Sequence, residues 1–272
     1  MRWSSLTVAP IDALLILLAA VWGALAGAVL PRAVYRFSVE LEDGEGKGEG
    51  EGEGEGSGPV DPGWRRTCPA GHPLGGWLGP ARCPGCPGTS PPYGPGALRP
   101  SLATAVLCAG LALATGIRPE VAVWLLLAPV GVLLAAVDLR VKRLPDPLTL
   151  SLAAAALTLL GVAALLPEHA GDWTTALLGA LALSAGYLVL HLVNPGGMAF
   201  GDVKLALGAG AVLGWYGWGT VMLGTFAGFL FGALYGGALL LARRAGRKTA
   251  IPFGPFLTAG VYAGVVMGAY AA

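Results

Sequence analysis

Charged residues divide the chain into long stretches that carry no charge at all. These apolar runs cover 13–31, 100–117, 121–137, 147–167, 173–201, 205–242 and 249–272. A helix that crosses the hydrocarbon core of a bilayer needs about 20 residues, with a range of roughly 17–25. Five runs fit one crossing each. The run 205–242 is too long for a single span and must turn back, and Gly217-Trp218-Gly219 is the natural place. The run 173–201 holds one span and leaves helix at Asn194-Pro195-Gly196-Gly197. The pattern predicts an all-α membrane protein with about eight transmembrane helices.

Composition supports this class. Of the 272 residues, 55% are hydrophobic and 12% charged; a soluble domain carries about 25% charged residues. Mean hydropathy is +0.67. Gly (44 residues) and Ala fill the apolar runs, as where helices pack closely in lipid. An ordinary soluble enzyme and a disordered chain are both excluded. No basic stripe suggests nucleic acid, so lipid is the expected surrounding. Arg2 ahead of the first run, with Ala24-Leu25-Ala26 inside it, has some features of a secretory signal. The apolar run continues to Leu30 and is followed by Arg32 and Arg36, so a retained first helix is expected.

Basic residues set the orientation. Eight spans put Arg32, Arg36, Arg99, Arg140, Lys142, Arg143, Lys204, Arg243, Arg244, Arg247 and Lys248 beside membrane ends on one side, and Arg2 and Arg118 on the other. Cytoplasmic loops carry the excess. Both termini are therefore expected outside, and the long loop 32–99 in the cytoplasm. The chain divides into a first helix (1–31), this loop, and a seven-helix core (100–272). Eight of the 16 acidic residues lie between Glu40 and Glu55, and the Glu-Gly alternation at 44–56 is expected to be a self-repelling linker. Residues 64–90 hold three of the four cysteines (Cys68, Cys83 and Cys86) and many prolines. Such a module needs a staple. Cys108, alone in the second span, reads as a small packing residue.

Two aspartates stand at helix ends where an ionisable group is costly. Asp138 closes the third helix, ahead of Leu144-Pro145-Asp146; Asp202 opens the sixth, in Phe200-Gly201-Asp202-Val203-Lys204-Leu205. The topology puts both on the cytoplasmic face. Two neighbouring carboxylates share a proton, so one acts as base on water while the other donates to a carbonyl. Position alone favours a plainer reading, in which each Asp caps its helix or pairs with Arg140 or Lys204. A transporter or proton/cation pathway is the alternative use of such a pair, and it predicts carboxylates near the bilayer midplane.

Asp138 with Leu144-Pro145-Asp146-Pro147-Leu148-Thr149-Leu150, then Phe200-Gly201-Asp202-Val203-Lys204-Leu205, then Ile251-Pro252-Phe253-Gly254-Pro255-Phe256-Leu257, resembles the active-site segments of the prepilin peptidases (type IV leader peptidases). These belong to the wider class of GxGD membrane aspartyl proteases. The first Gly of that motif is Ala199 here, with Gly196-Gly197 just upstream. The resemblance implies a multi-pass inner-membrane endopeptidase with Asp138 and Asp202 as the catalytic pair. It needs no catalytic metal, and its partners are type IV pilin-like precursors, cleaved at the cytoplasmic face. Bifunctional members carry two CxxC pairs in the loop after the first helix. Here Cys83-Pro84-Gly85-Cys86 is intact, while Cys68-Pro69-Ala70-Gly71-His72 has Gly71 where the second Cys would stand. Cys68, His72, Cys83 and Cys86 make an accepted structural zinc set. N-methylation of the mature pilin, using S-adenosylmethionine, is implied only if the chain is bifunctional.

Further expectations concern single residues. His191 is satisfied by backbone, and His169 is solvated. Trp215, Tyr216 and Trp218 form an aromatic belt. Lys204 either holds Asp202 or reaches lipid phosphates. Gly208, Gly210, Gly228, Gly232, Gly236 and Gly237 serve helix packing.

Overall fold

The computed structural model describes residues 10–39, 63–87, 91–242 and 251–272. The Glu-Gly stretch 44–56 and the basic segment 243–248 lie outside them. Eight helices are present: α1 (Pro10–Phe37), α2 (Leu98–Thr115), α3 (Glu120–Val141), α4 (Asp146–Ala163), α5 (Trp173–Val193), α6 (Phe200–Gly214), α7 (Trp218–Leu241) and α8 (Gly254–Ala271). Seven are long and apolar enough to cross a membrane. The exception is α6, whose 15 residues reach about 22 Å at 1.5 Å per residue, short of a hydrocarbon core of about 30 Å.

Burial explains how so short a helix is accommodated. Ten of its residues are buried, and it packs against α4, α5, α7 and α8. It is a central post rather than a lipid-facing span. By contrast α7 turns Met222, Phe226, Leu234 and Leu241 outward, as a helix bathed in lipid does. Small residues set the closest approach at the centre. A Cβ on Gly179 of α5 would lie 2.6 Å from the Gly210 carbonyl of α6, so these two backbones meet with no side chain between them. Cys108 is fully buried beside Ala19 and Ala112, a packing residue as expected. Gly228 approaches the α8 backbone, with its Cβ position 3.2 Å from the Phe256 carbonyl, but Gly237 faces open space and packs on nothing.

The expected breaks fall where expected. Helix α5 ends at Val193 with Asn194 as its C-cap. Gly217, at φ 94°, turns the chain into α7, a conformation that L side chains rarely adopt. Helix α1 differs from expectation: it does not stop at Leu30 but runs through Pro31 to Phe37. Arg32 and Arg36 do not simply mark its exit to water. Arg32 donates to the Gly75 carbonyl at 2.7 Å, and Arg36 donates to Gly76 at 2.7 Å while its guanidinium lies 3.9 Å over the Trp77 ring.

The aromatic belt also needs correction. Trp218 is exposed, but Trp215 is buried and Tyr216 points inward to a carboxylate that sequence reading overlooked. Glu120, wholly buried, accepts from the Tyr216 hydroxyl at 3.5 Å and from the Ala170 amide at 3.3 Å; Trp124 Nε1 donates to Tyr216 at 3.3 Å. This knot ties the α2–α3, α4–α5 and α6–α7 turns together at the end of the bundle away from Asp138. His169 is exposed, as expected, with its ring 5.9 Å from that of Trp215.

Candidate active site

Asp138 lies in the last turn of α3. Its backbone carbonyl accepts from Lys142, whose left-handed conformation (φ 51°) ends the helix. The chain then passes through buried Leu144 to extended Pro145, the N-cap of α4. Asp202 sits in the first turn of α6, and its carboxylate faces the backbone amide of the N-cap, Ala199. A Cβ at Gly201 would lie 3.0 Å from that of Leu144, so the start of α6 presses directly on the α3–α4 connection. That contact brings together two residues far apart in sequence. Both aspartates are 4% exposed, and the Asp138 charge is within range of Asp202.

The lysine two positions after Asp202 is engaged elsewhere. Lys204 pairs with Asp146 at 2.6 Å and lies 4.8 Å from the Phe200 ring centre; it neither holds Asp202 nor stands free to reach lipid. Among the described residues no ion pair involves Asp138 or Asp202. Asp138 Oδ2 instead accepts the Gly254 amide at 2.9 Å. A Cβ on Gly254 would lie 2.8 Å from that same oxygen, so glycine is needed for the approach. The 251–257 segment thus contributes a main-chain donor that sequence reading had only as part of a resemblance. A Gly-Pro pair opening a helix was the available signal, because the first amides of a helix have no partner within it.

Ala199, the departure from the GxGD pattern, adopts φ −72° and ψ 146°. That is ordinary extended backbone, so a methyl group is tolerated there. His191 Nδ1 donates to the Met198 carbonyl at 2.8 Å, satisfied by backbone as expected. Together, a buried pair of aspartates, a short buried helix and a main-chain clamp define a polytopic helical protein with an embedded carboxylate pair.

The cysteine module gathers its four candidate ligands. The Sγ atoms of Cys68, Cys83 and Cys86 and a ring nitrogen of His72 all lie within 4.8 Å of one another. Cys68 and Cys86 are 3.8 Å apart, and His72 Nδ1 is 3.6 Å and 3.4 Å from them. Zn–S bonds of about 2.3 Å in a tetrahedron give S···S edges of about 3.8 Å, so the spacing fits zinc. Cys68 accepts the Gly71 amide at its carbonyl and gives its own amide to His72, both at 2.9 Å. Gly71 sits at φ 85°, a conformation in which a cysteine would be strained; His72, one position on, supplies the fourth donor. Burial pushes the Cys68 thiol up, but hydrogen bonds from the Ala70 and His72 backbone outweigh it and bring the thiol down to about 6. Burial, then the neighbouring Cys68 and Cys83, push Cys86 up to about 11. An apo cluster therefore holds one thiolate readily and resists a second, the imbalance a cation relieves.

Residues 122–237 match the model of the Type IV leader peptidase family, a stretch that contains both aspartates and stops short of 251–257. That stretch is similar to the type IV leader peptidase family. A prepilin leader peptidase/N-methyltransferase of Aeromonas salmonicida (strain A449) is 39% identical over 141 residues, 49% of this chain and 45% of the relative. One of Bacillus subtilis (strain 168) is 30% identical over 161 residues, 58% and 61% of the two chains. One of Pseudomonas aeruginosa (strain PAO1) is 33% identical over 164 residues, 57% and 53%. The match spans less than half the length of the Aeromonas relative. No solved structure matches the chain.

Proposed function

We propose that this protein is a membrane aspartyl endopeptidase that removes the leader of type IV pilin-like precursors at the cytoplasmic face of the inner membrane. The observation that carries the reading is the joint burial of Asp138, near the end of α3, and Asp202, at the start of α6, with no ion pair to either among the described residues. Two buried carboxylates in mutual range hold one proton between them. The ionised one takes a proton from water as that water attacks the scissile carbonyl; the protonated one donates to the carbonyl oxygen. The proton taken from water then passes to the leaving amine, and the diol proton returns to the second carboxylate, restoring the pair. The Gly254 amide fixes Asp138 throughout.

Both aspartates lie within a turn or so of a helix end. This suits a bond at the membrane boundary, and suits a midplane ion pathway poorly. The substrate's apolar helix stays in lipid while its leader reaches the dyad from the cytoplasm, with both termini of this chain outside. The loop between α1 and α2 is a zinc-stapled module held by Cys68, His72, Cys83 and Cys86, and α2–α8 form the peptidase core. Zinc there supplies folding energy to a segment with little core of its own. The relatives' names support a second activity, methylation of the new N-terminus from S-adenosylmethionine.

Co-expression with a pilin-like precursor and intact-mass analysis tests the reading. Loss of the leader with the wild type, and its retention with Asp138→Asn and Asp202→Asn, is expected. A further gain of about 14 mass units, one CH₂, marks methylation. Cleavage surviving both substitutions sinks the aspartyl mechanism.

A further inference from the structure

Ser184, Tyr187 and His191 lie along one face of α5, at positions i, i+3 and i+7. Two of them bind the main chain on either side of Asp202. Ser184 Oγ donates to the Val203 carbonyl at 3.0 Å, and His191 Nδ1 donates to the Met198 carbonyl at 2.8 Å. Tyr187 stands between them, 1% exposed, with its ring 5.7 Å from Phe229 and 6.1 Å from Phe253. Phe253 directly precedes Gly254, whose amide holds Asp138. The ring is therefore fixed where the two arms of the dyad meet.

Its hydroxyl is buried and has no hydrogen-bond partner among the described residues. Buried polar atoms are almost always paired, and an orphan is costly. A phenylalanine would fill the same aromatic nest without that cost. The charge that the Tyr187 hydroxyl senses is that of Asp202.

We propose that Tyr187 is a positioning residue of the dyad, its hydroxyl donating to the Asp202 carboxylate through one bridging water and favouring the ionised form. The inference rests on the peptidase reading and adds to it a positioning residue beside Asp202. The first turn of α6, where helix N-terminal amides also favour an anion, acts in the same direction.

Tyr187→Phe in the purified full chain removes one oxygen and keeps the ring. A lost hydrogen bond to a charged group corresponds to a fall in kcat of roughly 10- to 100-fold. KM is expected to stay within about twofold, because the substrate is not touched. Without the donor, the acid limb of the pH–rate profile moves to higher pH, which loss of packing alone would not cause. An unchanged kcat with an unchanged pH profile overturns the proposal. A second readout needs no cleavage: 3-fluorotyrosine at position 187, followed by ¹⁹F NMR across pH. The resonance is expected to titrate in the otherwise wild-type chain and to be flat with Asp202→Asn. Identical behaviour in both overturns the contact. A wild type that cleaves no precursor while this titration persists counts against the peptidase reading and leaves the Tyr187–Asp202 contact standing.

Discussion

Gly254 shows how little room the dyad has. Its amide binds Asp138 Oδ2 at 2.9 Å, and a methyl group in its place would meet that oxygen at 2.8 Å. Gly254→Ala is expected to swing the Asp138 carboxylate away and cut kcat by roughly 100-fold, since a misplacement of about 1 Å carries a penalty of that order. Thermal unfolding in detergent should move little, and a steady-state assay beside a melting curve separates the two effects. The charged neighbour behaves differently. Asp146 is 59% exposed in its pair with Lys204, and exposed pairs contribute about 0–1 kcal/mol. Asp146→Asn is therefore expected to leave cleavage within about threefold and stability within about 1 kcal/mol. A large loss of activity there would mean that Lys204 matters to the dyad after all.

At the scale of elements, α6 depends on backbone contact with α5. A leucine at Gly179 would drive into the Gly210 carbonyl, 2.6 Å from its Cβ. Overpacking costs about 1–3 kcal/mol even where neighbours can shift, and backbone shifts less than side chain. Gly179→Leu should lower the melting temperature and the activity together. The cysteine module docks on α1 through Arg32 and Arg36 but carries its own ligand set. Cys86→Ser should lower bound zinc from about one per chain to near zero, measured by metal analysis of the purified protein. Proteolysis between residues 63 and 87 should accelerate while α2–α8 stays protected. Run lengths and breakers made these elements legible: Asn194 and Gly217 end and start helices where the sequence puts them. The extension of α1 to Phe37 was not legible, because Arg32 and Arg36 read as an exit to water when their partners are carbonyls more than 35 positions on. Trp215 and Tyr216 misled for a related reason. An apolar membrane helix has no polar face to show which side turns inward, so an aromatic at a turn looks the same whether it meets lipid or a buried Glu120.

The whole molecule is a bundle whose shortest helix is its most enclosed, and that helix carries a carboxylate to the mouth. Run lengths and charge bias put Asp138 and Asp202 at helix ends on one face, and only the family resemblance paired them; the clamp of Gly254 and the orphaned hydroxyl of Tyr187 were not legible, since both depend on contacts between distant helices. Topology follows from the same bias. A reporter active only outside the cell, fused after Ala272, is expected to be active, and one inserted in the 63–87 module silent. The reverse pattern would put the dyad on the wrong face for a cytoplasmic leader. The central claim is that these two carboxylates together do the chemistry. Its most direct test is leader removal from one precursor by the purified chain, measured for wild type, Asp138→Asn and Asp202→Asn at matched folded fraction. The account predicts turnover by the wild type and a fall of at least about 1,000-fold in each variant, with melting temperatures preserved. Either variant cleaving within tenfold of the wild type would contradict it.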